Sequence, residues 1–179
     1  MNRFISHLRR DWKSHLGTLA LVLLVFFGVQ AWQTRDVPLG PAPDFAFTLI
    51  QPDGSHNTTT LNAWRAQHPG QPVALHVWAD WCPICRTEEH SITRLARDGR
   101  VLTIAMQSGP ADAVARVLAQ RQLPWATAID PRGEIARSLG FKAVPAFVVV
   151  DSQGRLRAAS VGYTSEIGMR LRLWWARWF

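Results

Sequence analysis

Trp78-Ala79-Asp80-Trp81-Cys82-Pro83-Ile84-Cys85-Arg86-Thr87-Glu88 is the stretch on which the fold turns. Ahead of it, Val73 to Trp78 is a continuous apolar run broken only by His76, the pattern of a central strand. Behind it, Ile92, Leu95 and Ala96 fall on one face of a helix. The two cysteines therefore stand where strand gives way to helix. Pro83 suits the first helical position, because its missing N–H has no intrahelical partner there anyway. Unpaired backbone N–H groups and the helix dipole favour negative charge at such a start. Cys82 is thus expected as the attacking thiolate, with Cys85 one turn inside to resolve the mixed disulfide. Trp81 should cover the site from one side.

No other cysteine is present. A secreted scaffold held by disulfides would need more of them, at wider spacing. Closing so short a loop removes roughly 2 kcal/mol of unfolded-state entropy, against nearly 5 for a hundred-residue loop. Exchange chemistry is the stronger reading of Cys82-Cys85. The competing one is half of a zinc or copper site. Zinc takes four ligands, so His76 or His90 would have to serve, and neither lies in a metal-type repeat. No resident metal and no dissociable organic cofactor are expected, although a thiolate is a soft ligand for transient Cu(I).

Outward from the cysteines, strand and helix signals alternate. Phe45 to Ile50 and Thr58 to Leu61 flank Asp53-Gly54, a hairpin turn. Val101 to Met106 reads as a buried strand, and Pro110 opens a helix carrying Val114, Val117 and Leu118. Asp130-Pro131 reads as the cap and first turn of a short helix ending near Gly140. Phe147 to Val150 and Leu156 to Val161 surround Ser152-Gln153-Gly154, a second hairpin, and a last helix runs from about Ser165. This order describes an α/β fold, a mixed central sheet with helices on both faces.

That order and the placement of the cysteines resemble the thioredoxin fold over residues 42–179. The segment from Trp78 to Glu88 is most similar to the membrane-tethered branch that includes TlpA, ResA and the cytochrome-maturation thioredoxins. Within it, Pro83-Ile84 and the following Arg-Thr-Glu-Glu look most like the suppressor-of-copper-sensitivity D group, anchored periplasmic thiol oxidoreductases. The resemblance implies that Val144-Pro145 is the cis-proline loop facing the cysteines. A cis Pro145 would leave the Val144 main chain free to pair with an extended substrate; a trans proline would merely end a loop. Trp81, Pro83, Ile84, Val144 and Pro145 are then the residues that shape the site. His76 precedes Cys82 by six positions, where thioredoxin and the DsbA-like oxidases hold a buried carboxylate that moves protons to the inner cysteine. Histidine there is a proton-relay candidate or a core histidine bonded to a backbone carbonyl. Glu88 is expected on the solvated helix surface, with a part in shaping the site as the alternative. The chain departs from the branch at Glu89-His90, where a proline usually follows, and at Ala146, where threonine is usual.

The amino-terminal quarter supplies location. Leu16 to Trp32 is apolar but for Thr18 and Gln30, about 25 Å of helix, and Trp12 and Trp32 extend it to about the 30 Å of a hydrocarbon core. Basic residues precede it, so residues 1–15 are expected in the cytoplasm, 16–32 as a single-pass inner-membrane anchor, and the remainder in the periplasm. A cleaved signal peptide ending at Val29-Gln30-Ala31 is the alternative. Residues 33–43, with Pro38, Pro41 and Pro43, read as an extended tether before a thioredoxin-like domain over 44–179. The formal charge of +7 on 179 residues is nearly half gathered in the first fifteen, with no dense basic run elsewhere. Nucleic-acid binding is excluded on that ground. The expected partners are exported proteins with cysteines and a transmembrane thiol electron carrier, since no nicotinamide motif is present. Near the end, Ile167, Leu171, Trp174 and Trp178 share one helix face. The ordinary reading packs that face on the sheet; Trp175, Phe179, Arg170, Arg172 and Arg177 leave room for membrane or partner contact.

Overall fold

The computed structural model describes residues 12–38 and 40–178, and two compact units are separable at Arg35/Asp36. Arg3, Arg9, Arg10 and Phe179 lie outside the described residues. The first unit holds one helix, α1 (Trp12–Gln33). Ser14–Gln33 is long and apolar enough to cross a membrane, with a mean hydropathy of 1.8.

The second unit has the thioredoxin fold. Its elements are β1 (Ala46–Ile50), β2 (His56–Thr60), α2 (Leu61–Arg65), β3 (Val73–Trp78), α3 (Pro83–Leu95), β4 (Val101–Met106), α4 (Ala111–Gln120), β5 (Thr127–Asp130), α5 (Glu134–Ser138), β6 (Ala146–Val150), β7 (Leu156–Val161) and α6 (Glu166–Trp175). A 3₁₀ turn, Ala176–Trp178, follows α6. The seven strands form one sheet in the order β2-β1-β5-β4-β3-β6-β7. β3 pairs parallel with β4 and antiparallel with β6, which places His76 opposite Thr103 on one side and Phe147 on the other. β3 is buried throughout, as its near-continuous apolar run requires of a central strand. Alternation along β3 sends Leu75 and Val77 to one core, with Leu61, Trp64, Ala136 and Phe141. Ala74 and Trp78 go to the other, with both cysteines, Ile92, Val114, Trp125, Met169 and Leu173.

Three sequence expectations are corrected. Asp130-Pro131 is not the cap and first turn of a helix: Asp130 ends β5, which pairs in parallel with β4, Gly133 is the N-cap of α5, and Asp130 Oδ2 accepts the Ala136 N–H at 2.9 Å. The tether read over 33–43 is not a free spacer. Gln33 is still helical, Val37 is buried, Asp36 Oδ2 meets Lys142 Nζ at 2.7 Å, and Pro41 bridges Arg155. Proline kept this stretch extended, but Val37 found an apolar seat and Gly40 and Ala42 found backbone partners in Leu156 and Gly154. Finally, α6 buries Met169 and Leu173, followed by Ala176, and turns Ile167, Leu171, Trp174 and Trp178 to solvent. Two apolar stripes compete on this helix, and the slimmer one fits beside α3. Ser165 caps α6 through Gly168 N, and Glu166 takes Arg94 from α3, which fixes the rotation.

Candidate active site

The site grows from the β3–α3 junction. Cys82 is the N-cap of α3, with extended backbone, and its sulfur accepts the Cys85 N–H at 3.1 Å. Pro83 occupies the first turn. Cys82 and Cys85 are joined as a disulfide, with Cα atoms 5.3 Å apart. Both are equally buried in this oxidised form, 3% exposed, so burial does not rank them. Helix position does. Cys82 Sγ lies at the cap, where α3 directs an N–H toward it, and Cys85 lies one turn in.

Around the pair, Pro83 and Ile84 are exposed, and Trp81 stands 57% exposed. Trp81 Nε1 donates to the Gln107 carbonyl at 3.2 Å, and the Asp80 N–H donates to Ser108 Oγ at 3.0 Å. Gln107 adopts φ 49, a left-handed conformation that side chains seldom take, just past the end of β4. Arg121 Nη2 donates to the Asp80 carbonyl at 3.0 Å, and its other terminal nitrogen meets Glu89 at 3.0 Å. The loop preceding Cys82 is thus pinned from three directions. Sequence reasoning missed Gln107 and Arg121, which lie 22 and 36 residues beyond Cys85 and carry no local signal.

The Val144–Pro145 peptide bond is cis. Val144 is half-buried against both cores, and the Pro145 carbonyl accepts from Gly162 N at 2.8 Å. Ala146 is buried between Val77 and Val161, so the usual threonine hydroxyl is replaced here by a methyl group.

Glu88 departs from expectation. It is 1% exposed, on the same face of α3 as Cys85, Ile92 and Leu95. Its Oε2 lies 3.1 Å from His76 Nε2, and its Oε1 accepts the Thr164 N–H. Burying a carboxylate is costly unless it is paired and hydrogen-bonded, and this one has both. The signal was its spacing. A residue three places after Cys85 must share that cysteine's helix face. His76 is likewise 1% exposed and packs edge-on to Trp125 at 6.2 Å. Its ring is bonded to a carboxylate rather than to a backbone carbonyl. Among the described residues, no group of three His, Cys, Asp or Glu is placed to hold a metal ion.

The sequence profile of the AhpC/TSA family matches residues 39–159, which include both cysteines, His76, Glu88 and the Val144–Pro145 bond. The chain belongs to the AhpC/TSA family. Two curated relatives of this AhpC/TSA member are informative. A thiol:disulfide interchange protein DsbE of Allochromatium vinosum is 32% identical over 150 residues, covering 80% of this chain and 79% of that protein. A thioredoxin-like protein of Haemophilus influenzae is 32% identical over 110 residues, covering 61% of this chain and 65% of that one. Among solved structures, one from Chlorobium tepidum assigned as a thiol:disulfide interchange protein DsbE is 25% identical with a TM-score of 0.62, covering 79% of this chain and 99% of that one. Each is what the AhpC/TSA member resembles in sequence or fold.

Proposed function

We propose that this chain is a membrane-tethered thiol–disulfide oxidoreductase that exchanges its Cys82–Cys85 pair with the cysteines of exported proteins. One observation carries the reading: two cysteines one turn apart, the first capping a helix and the second inside it. Family and fold agree, since the relatives are thioredoxin-like and thiol:disulfide interchange proteins.

In the reducing direction the Cys82 thiolate attacks a substrate disulfide, and one substrate sulfur leaves as a thiolate. Cys85, once deprotonated, attacks Cys82 Sγ, which frees the second substrate sulfur and leaves Cys82–Cys85 oxidised. Two electrons have passed to the substrate, and a transmembrane thiol carrier restores them. The oxidising direction is the same sequence reversed, and the relative reduction potentials set which one runs. Trp81, Pro83, Ile84, Val144 and Pro145 form the surface on which substrate lies. His76, with Glu88, is the proton acceptor for Cys85. The α1 helix anchors the chain in the inner membrane with its start in the cytoplasm, and the catalytic unit faces the periplasm. The sequence resemblance to the cytochrome-maturation thioredoxins supports a second, narrower reading, in which apocytochrome cysteines are reduced before haem attachment.

Trapping tests the exchange. Cys85→Ser accumulates mixed disulfides with exported proteins, and Cys82→Ser accumulates none. Equal trapping by both variants would end the assignment of roles. Copurified apocytochrome in the Cys85→Ser adducts would select the narrower reading.

A further inference from the structure

The sequence of α6 carries two apolar stripes and the fold uses one of them. Left over are Ile167 at 72% exposed, Leu171, Trp174 and Trp175, with Trp178 in the turn that follows at 71%. At 100° per residue these side chains fall within about a third of the circumference. Trp174 and Trp178 pack edge to face, 6.1 Å apart. Scattered exposed apolar residues need no partner, whereas a contiguous patch with three tryptophans marks a contact surface.

Arg170 and Arg177 run along one margin of this stripe and line a cleft of about 160 Å³. Leu95, Leu173 and Trp174 give the cleft its apolar lining, and Arg100 and Asp98 line it as well. Arg100 Nη2 is satisfied by Asp98 at 3.1 Å, but its Nη1 is buried with no partner among the described residues. Arg170 shares Glu166 with Arg94. The cleft thus gathers three guanidinium groups against one carboxylate. An anion with apolar material attached would complement both the cationic and the apolar lining of the cleft.

We propose that the outer face of α6, with the arginine cleft beside it, docks on the surface of an anionic phospholipid bilayer. The inference rests on the reading of α1 as a membrane anchor. An anchored domain meets the bilayer at high effective concentration, so a weak surface contact is populated. Tryptophan favours the interfacial region, and arginine the phosphate groups within it. A second copy is a poorer occupant. An antiparallel two-fold pairing of this face would lay the Arg170 and Arg177 margin of one copy along the same margin of the other.

The test uses the full chain, at one copy per nanodisc of phosphatidylcholine and phosphatidylglycerol with brominated acyl chains. Replacing Trp174, Trp175 and Trp178 together by Phe isolates their emission by difference from the unaltered chain. That emission should be quenched at least about twofold relative to unbrominated discs. Ile167→Glu with Leu171→Glu should abolish the quenching while leaving dithiothreitol-driven insulin reduction unchanged, which shows the domain still folded. Arg170→Gln with Arg177→Gln, or omission of phosphatidylglycerol, should weaken it by about twofold or more. A chain released from membranes by carbonate would remove the anchor reading and this inference with it. A retained chain with unquenched α6 emission would overturn the docking alone. Shielding from acrylamide seen only with two copies per disc would give the face to self-association. Equal shielding by inorganic phosphate in detergent would reduce the cleft to a free-anion site.

Discussion

His76 Nε2 lies 3.1 Å from Glu88 Oε2, and neither side chain has more than 1% of its surface exposed. The pair joins the central strand β3 to the cysteine helix α3, and the Thr164 N–H holds the far oxygen of the carboxylate. His76 Nδ1 has no partner among the described residues.

His76→Gln is therefore expected to leave attack by Cys82 nearly normal while slowing release, which needs the Cys85 thiolate, by about 10- to 100-fold. The deficit should shrink as pH rises, because hydroxide replaces the missing base. Glu88→Gln should show the same pattern if the two act as one unit. Stopped-flow release rates across pH decide. A wild-type rate at every pH, with only a lower melting temperature, would leave the pair a structural role.

Left-handed Gln107 gives a second expectation. Its conformation aims its carbonyl at the Trp81 indole. A side chain in this region costs on the order of 1–3 kcal/mol, part of which glycine would recover. Gln107→Gly should raise stability by roughly 0.5–1 kcal/mol with KM for a peptide disulfide unchanged. Gln107→Val, branched at Cβ, should destabilise and raise KM as Trp81 loses its acceptor. Urea midpoints and KM measured side by side would check both, and identical behaviour of the two variants would sink the account.

Glu166 makes α6 sensitive to acid. Hydrogen bonds from Arg94, at 2.7 Å, and Arg170, at 2.9 Å, hold its carboxyl below the usual range. A carboxyl depressed in the folded state contributes fully above its unfolded value, and the contribution disappears as pH falls through the lower, folded one. The melting-temperature gap between the unaltered chain and Glu166→Gln should be open at pH 7 and closed in strong acid. Because the pair is partly exposed, about 0.5 M salt should narrow the gap even at pH 7. A gap constant with pH would mean that glutamine disturbs packing instead.

What could be read from the sequence was local. The apolar run into Cys82, Pro83 at the first turn and the Asp53-Gly54 hairpin each depend on residues within a few places of one another, and each stands in the fold as expected. The disagreements all involve partners far along the chain. Glu88 reads as surface until Thr164, 76 residues on, supplies its N–H. The amphipathic period of α6 cannot say which stripe α3 will take, because that depends on Arg94 reaching Glu166 across 72 residues. Residues 33–43 read as spacer for the same reason, since Gly140 and Arg155 are what Asp36, Val37 and Pro41 pack and pair with.

Gly140 tests that last point. It has φ +86, and an added Cβ would meet the Asp36 carbonyl and lie 2.6 Å from Val37 Cα. Alanine there is strained twice, by the left-handed backbone and by a neighbour that is itself main chain. The left-handed conformation alone costs roughly 1–2 kcal/mol, and the clash can be relieved only by lifting the Asp36–Val37 segment off the domain. Lifting it exposes Val37 and breaks the contact between Asp36 and Lys142. Gly140→Ala should therefore lose at least about 2 kcal/mol in urea unfolding, and cleavage after Arg35 by trypsin should accelerate in the folded protein. Val37→Ala separates the two effects, because it weakens the seat without touching Gly140. It should speed the same cleavage while costing less, near 1 kcal/mol for two buried methyl groups at a site only just covered. If Gly140→Ala destabilises and the cleavage rate stays at that of the unaltered chain, the strain is confined to the turn and residues 36–43 are held by something other than Gly140.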